Sequence, residues 1–290
     1  MDQTNPFRSA QNEFQKSLES TGRATATILA YTKDIEQLLD FVAKTGKTSP
    51  EQVDTQDIND FKAYLADKNY TAKSISRKIN SIKSFFRYLQ SQKKIDSNPA
   101  TTVTHPKYQL KPPRILTRIE YRALRDACRD DVRISAIVEL LLQTGMRIGE
   151  LANLELEDLD LNEDKITIRA YESHPSRTIP LNSSAKEALK LYLEDRPKTD
   201  TKNVFVTKTG NSFLVRNIRS SIDRYFRLAG IEDAKVNDLR HTFIAHQLTS
   251  GTPLVYVSKL VGHKRLSTTE KYLEFIKEKT AKDKPKLEEL

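Results

Sequence analysis

The sequence predicts a mainly α-helical protein with a small β-sheet, divided into two domains. Three observations carry this expectation. Apolar residues recur every three or four positions through most of the chain, the spacing that lines one face of a helix. Two segments, "KITIRAY" and "RTIPL", read instead as short strands. Between residues 97 and 115, "SNPATTVTHPKYQLKPPRI" holds four prolines, three cations and no acid. Proline fixes its own φ and restricts its predecessor, so this stretch is an extended strap between domains.

The elements follow in order. "ILAYTKDIEQLLDFV" and "DINDFKAYL" are helical, with no internal Pro or Gly. In "TAKSISRKINSIKSFFRYLQSQKK" the residues Ile75, Ile79, Ile82, Phe86 and Leu89 form one apolar stripe. After the strap, Thr117 and Glu120 form a capping box that opens a new helix. Helices continue to about Leu154; the two strands follow, then helices over "AKEALKLYLED" and "RNIRSSIDRYFRLAG". We expect a helical domain at residues 1–105, a linker at 106–115 and a second domain at 116–290.

Composition narrows the function classes. The chain has 290 residues, 37% of them hydrophobic, enough for real cores, and a net charge of +9 that suits a polyanionic partner. One cysteine, Cys128, makes no intramolecular disulfide, and no Cys/His cluster has metal-ligand spacing. The N-terminus lacks an apolar export signal and no apolar run spans a membrane, so a cytoplasmic setting without a membrane partner is expected. The third helix carries Lys73, Arg77, Lys78, Lys83 and Arg87, with no acid between Thr71 and Ile95. These cations, with Lys107, Lys111 and Arg114 of the strap, are candidate phosphate contacts on double-stranded DNA.

The densest signal is C-terminal. In "VNDLRHTFIAHQL", Arg240 lies in an amphipathic helix beside Leu239 and Phe243, where it needs an anion. In "TPLVYVSKLVGHKRLSTTEKYLEF", Pro253 opens a helix and Gly262 ends it, which leaves His263 on the next loop. A box from Ser267 to Glu270 starts another helix, which carries Tyr272. Upstream, "TGMRIGEL" sets Arg147 just after a helix-ending Thr-Gly, with Glu150 three residues on.

"TGMRIGEL", "LRHTFIAHQL" and "LVGHKRLSTTEKY", in this order and with nine residues from His263 to Tyr272, resemble the signature boxes of the tyrosine recombinase (phage integrase and Xer-like) family. The resemblance covers nearly the whole chain. It implies a helical core-binding (SAM-like) N-terminal domain followed by an α+β catalytic domain, the two gripping opposite faces of a duplex. The front end leaves no room for the arm-binding domain of larger phage integrases, so the two-domain Xer-like layout is expected.

The chemistry so implied is site-specific recombination. Tyr272 would attack a phosphodiester, form a 3′-phosphotyrosyl link and release a 5′-hydroxyl that attacks the partner strand. The bond energy stays in the ester, so neither a small-molecule cofactor nor a metal is expected. Arg147 and Arg240 would clamp the nonbridging oxygens, a planar task that suits guanidinium. His263 would add a hydrogen bond, and Glu150 would orient its neighbours. The resemblance also implies two protomers per site, a tetramer in the synapse and a Holliday-junction intermediate.

Two positions depart from the family. Asn237 stands where a histidine is usual, and alignment of "RTIPL" puts Glu172 at the place of a lysine that acts as general acid; Lys165 and Lys208 are other candidates for that role. Taken singly, each site residue has an ordinary explanation: Arg147 suits a helix C-terminus, His263 a polar loop, Tyr272 a half-buried helix face. His241 and His246 suit fold support, and Arg169 and Arg177 suit either phosphate contact or surface charge. The conjunction favours a recombinase; the alternatives are a noncatalytic DNA-binding protein with the same fold, favoured by Glu172 and Asn237, and an enzyme that relaxes supercoils.

Overall fold

The computed structural model describes residues 5–109, 112–170 and 174–280, with side chains to 276. It divides into two compact units, residues 1–110 and 111–290. Among the described residues no helix is long and apolar enough to cross a membrane.

Among the described residues the first unit contains the α-helices α1 (Pro6–Ser20), α2 (Thr25–Ala43), α3 (Thr55–Asp67) and α4 (Ala72–Ser91). α1 is an addition to the elements read from the sequence. It is launched by Asn5, whose side chain accepts the Phe7 N–H at 2.9 Å, with Pro6 in the first turn. Its buried residues Phe7, Ala10, Phe14 and Leu18 step by three and four. The expected stripe of α4 is fully inside the core with Phe85. Ala100 and Val103 belong to the same core, so the start of the strap packs down, and Thr55 Oγ1 donates to the Pro99 carbonyl at 2.8 Å.

The basic face of α4 is smaller than its sequence suggests. Lys78 is only 5% exposed, and its Nζ donates to Asp34 Oδ1 at 2.8 Å and Gln37 Oε1 at 2.6 Å. Burial of a lysine requires such a partner, and the partner comes from α2, which inspection of α4 alone misses. Lys78 is therefore a core ion pair and not a phosphate contact. Arg77, half exposed, forks onto the same carboxylate. Lys73 and Arg87 stand exposed on α4, Lys83 is partly exposed, and Lys107 is exposed on the strap. Lys111 lies outside the described residues.

The second unit contains α5 (Arg118–Cys128), α6 (Val132–Thr144), α7 (Ile148–Ala152), β1 (Leu159–Asp160), β2 (Lys165–Ile168), β3 (Arg177–Pro180), α8 (Ser183–Asp195), α9 (Val215–Leu228), α10 (Val236–Thr249), α11 (Leu254–Val261) and α12 (Ser267–Thr280). α6 is buried almost all round and packs against α8 and α10. The strands form an antiparallel sheet in the order β1-β2-β3, with Ile166 opposite Ile179 and Ile168 opposite Arg177. The Thr117–Glu120 box forms as expected. α12 begins at Ser267 itself, the residue expected to cap it: the Glu270 N–H donates to the Leu266 carbonyl at 3.0 Å.

Arg114 and Arg169 of this unit are committed to structure. Arg114 donates to Glu120 Oε1 at 2.6 Å and to the Glu232 carbonyl, which corrects its reading as a free DNA contact. Arg169 forks onto Glu155, Glu157 and Asp158.

Candidate active site

The site is built on the C-terminal end of α11. The last carbonyls of a helix lack intrahelical partners and lie at the negative end of its dipole, and here they receive three guanidiniums. Arg177 Nε donates to the Leu260 carbonyl at 2.6 Å. Arg240 Nη2 and Arg147 Nη1 share the Val261 carbonyl, at 2.7 and 3.3 Å. Arg147 Nη2 reaches the Gly262 carbonyl at 3.0 Å. Gly262 has φ +65°, and a Cβ there would sit 3.0 Å from Arg177 Nη1, so both the turn and the approach of the arginine need glycine.

Local sequence explains how each group arrives. α6 ends at Gly145, φ +61°, where a Cβ would lie 2.3 Å from the Phe243 ring. The chain then turns through buried Met146 to Arg147, whose extended backbone caps α7. Glu150, three residues on, accepts the Arg147 N–H at 2.8 Å and its Nη1 at 3.0 Å. Arg177 shares a β3 face with Ile179, since side chains alternate along a strand, and that face points inward. Its guanidinium grips Glu150 through two bonds of 2.9 and 2.7 Å. Arg240, 6% exposed in the middle of α10, donates also to the Gly145 carbonyl.

The electrostatics follow from this crowding. Burial pushes the Glu150 carboxyl up, but the Arg177 bonds, the Arg147 N–H and both guanidinium charges outweigh it and hold it at about 2. Burial and then Arg147 bring Arg240 down to about 9, which leaves it charged at neutral pH. Three guanidiniums against one carboxylate leave an excess of positive charge suited to an anion.

The histidines and the tyrosine complete the cluster. His263 follows α11 with its Nδ1 2.7 Å from Thr269 Oγ1 and its ring stacked near Tyr272, centroids 6.3 Å apart. Burial, then Arg240 and Arg147, lower its pKa to about 4, so its ring is neutral at pH 7. Tyr272, 6% exposed on α12, has its hydroxyl 2.5 Å from His241 Nδ1. Burial raises its pKa while Arg240 pulls the other way. His241 Nε2 in turn lies 2.7 Å from Asn237 Nδ2. Beside Arg240 and Asn237 opens a cavity of about 450 Å³, lined also by Arg219, Lys235, Met146 and Ile148.

Six residues singled out in the sequence are thus assembled: Arg147, Glu150, Asn237, Arg240, His263 and Tyr272. Glu172 lies outside the described residues. Lys165 sits at the opposite end of the β2–β3 pairing from Arg177 and pairs with Asp160 at 3.2 Å; Lys208 is an exposed loop residue. Three residues gain a place that the sequence reading did not give them. His241 touches the tyrosine, one helical turn from Asn237. Arg177 is inward by the alternation that buries Ile179. His174, just before β3, has a buried Nδ1 without a partner among the described residues, and burial and then Arg147 lower its pKa.

Comparison with known proteins gives the following matches. The Phage integrase family profile matches residues 114–279, and that of the phage integrase N-terminal SAM-like domain matches residues 12–93. A tyrosine recombinase XerC of Thermodesulfovibrio yellowstonii is 34% identical over 264 residues, 87% of this chain and 86% of that protein. Among solved structures, XerA recombinase is similar at 28% identity with a TM-score of 0.56, covering 97% of this chain and all of that one. A lambda integrase tetramer bound to a Holliday junction shares the fold at a TM-score of 0.73, with 18% identity over 89% of this chain and 77% of that chain.

Proposed function

This chain belongs to the phage integrase family as a tyrosine-type site-specific DNA recombinase, and we propose that Tyr272 is its nucleophile and that Arg147 and Arg240 clamp the scissile phosphate. The observation that carries this reading is the shared Val261 carbonyl, which holds both guanidiniums together in the cluster that contains Tyr272 and His263. Planar guanidiniums present paired donors that match the nonbridging oxygens and offset the charge that grows as phosphorus becomes pentacoordinate. Neutral His263, with one nitrogen at Thr269, has the other for the same phosphate. Glu150 positions Arg147 and Arg177 and does not meet the substrate.

In the reaction, the Tyr272 oxygen attacks phosphorus as the 5′-oxygen leaves, and a 3′-phosphotyrosyl ester conserves the energy of the broken bond. The partner strand's 5′-hydroxyl then attacks this ester and releases the tyrosine. Asn237 takes a supporting place beside the site, and the Glu172 position supplies no cationic acid. A general acid contributes about 10²–10⁴-fold, so cleavage without one would be slowed and not abolished.

The helical first domain, residues 1–105 with the 106–115 strap, would bind the duplex through the phosphate contacts of Lys73, Arg87 and Lys107. The lambda integrase structures, a dimer bound to a core site and a tetramer bound to a Holliday junction, support two protomers per site and a tetramer on a four-way junction for this chain. The protein would act in the cytoplasm, where chromosomal DNA lies. The test is covalent capture: the full chain is incubated with a randomised library of nicked duplexes, and adducts are resolved on denaturing gels. An adduct lost in Tyr272→Phe supports the reading. No adduct from the native chain, or an undiminished one from the variant, defeats it.

A further inference from the structure

We infer that His241 is the general base that takes the phenolic proton from Tyr272, with Asn237 holding its imidazole in the tautomer that this requires. The inference rests on Tyr272 as nucleophile.

Geometry is the first ground. Asn237, His241 and Tyr272 form a continuous chain, with 2.7 Å between the amide and Nε2 and 2.5 Å between Nδ1 and the phenol oxygen. Asn237 and His241 stand four residues apart on α10, so one helix face presents both. An amide's nitrogen and oxygen have the same shape, and the flipped amide offers Oδ1 to Nε2–H at the same distance. That orientation leaves the Nδ1 lone pair facing the tyrosine O–H. The other histidine of the cluster is differently engaged, since His263 turns its Nδ1 to Thr269.

The surroundings keep His241 ready to accept. Burial lowers its pKa, Asp238 opposes this and Arg240 reinforces it. The groups around it are Asp238 and Arg240 on its own helix, His263 from the segment after α11, and Tyr272 on α12. Unaided, a buried phenol is a poor nucleophile at neutral pH.

The proton balance closes. As the Tyr272 oxygen bonds to phosphorus, its proton passes to His241 Nδ1 and the imidazolium donates from Nε2 to Asn237 Oδ1. The departing 5′-oxygen takes a proton from water. On rejoining, the 5′-hydroxyl attacks phosphorus and gives its proton back to solvent, the Tyr272 oxygen departs as phenolate, and His241 Nδ1 returns the proton to it. Asn237 moves no proton; it is a positioning residue.

The test uses the full chain and a nicked duplex obtained by covalent capture. His241→Asn keeps a polar group near the Nδ1 position and removes the base. Its single-turnover cleavage should fall about 10²–10⁴-fold. Native cleavage should be flat from neutral pH upward, whereas the variant's should climb about tenfold per pH unit as the phenol ionises unaided. A duplex with sulfur at the bridging 5′ position separates base from acid, because a thiolate leaves without a proton; the defect should persist on it. Nitrogen NMR of the free protein should show Nε2 protonated and Nδ1 bare. Cleavage at the native rate, a defect erased by the sulfur, or a proton on Nδ1 would overturn the assignment and leave the Tyr272 reading standing. A native chain that forms no adduct would overturn both.

Discussion

Glu150 and Arg177, 27 residues apart in sequence, form a two-bond ion pair of 2.9 and 2.7 Å whose carboxylate is wholly shielded from solvent. The same carboxylate holds Arg147 through its backbone and its side chain. One acid thus fixes two guanidiniums.

Glu150→Gln should cost about 3–5 kcal/mol, because it leaves buried arginine charge without its counterion. The pH dependence has a definite sign. The folded carboxyl sits at about 2 against an ordinary 4.5, so its stabilisation is present above about pH 4.5 and fades as pH falls toward 2. The contribution is about 3 kcal/mol at neutral pH. Urea unfolding between pH 2 and 7 checks this: the variant's stability should change less steeply with pH than the native chain's.

His263 should titrate near pH 4 by NMR. The folded state binds fewer protons than the unfolded chain between about 4 and 6.5, so this group removes stability as pH falls through that window. Arg240→Met should shift the midpoint upward, because Arg240 is the foremost charge acting on the ring.

The two kinds of cation on α4 should separate cleanly. Lys73→Ala and Arg87→Ala should each weaken DNA binding and lower the slope of log affinity against log salt by about 0.9, with little change in stability. Lys78→Ala should destabilise the first unit by about 3 kcal/mol, since it breaks a buried pair with Asp34. Fluorescence anisotropy over a salt series and thermal melts distinguish the two outcomes.

Gly145→Ala should be disproportionately damaging. The added carbon meets Phe243 at 2.3 Å in a left-handed backbone, and the Gly145 carbonyl is an anchor of Arg240. A melting-point drop and slower cleavage together are expected. Unchanged melting would refute the packing account.

Much of the site was legible because its residue types are rare in their settings. An arginine amid the apolar face of α10 demands a partner, and a Thr-Gly break after α6 demands a turn. What escaped were partnerships across elements. Asp34 neutralises Lys78 from another helix, and Glu150 captures Arg177 from a strand, yet no local window contains both members. His241 looked like fold support because its importance lies in Tyr272, 31 residues away. The helices of the first unit were plain from apolar spacing; α1 was overlooked although Asn5–Pro6 marks its start.

The position of the shared carbonyl also bears on synthesis. Arg147 reaches its anchors at Val261 and Gly262 across 114 and 115 residues of chain. Translation proceeds from the N-terminus and folding follows it. A growing polypeptide therefore carries its arginines long before the end of α11 exists to gather them. Ribosome-bound fragments that stop short of residue 260 hold Arg147, Arg177 and Arg240 without the carbonyls that gather them.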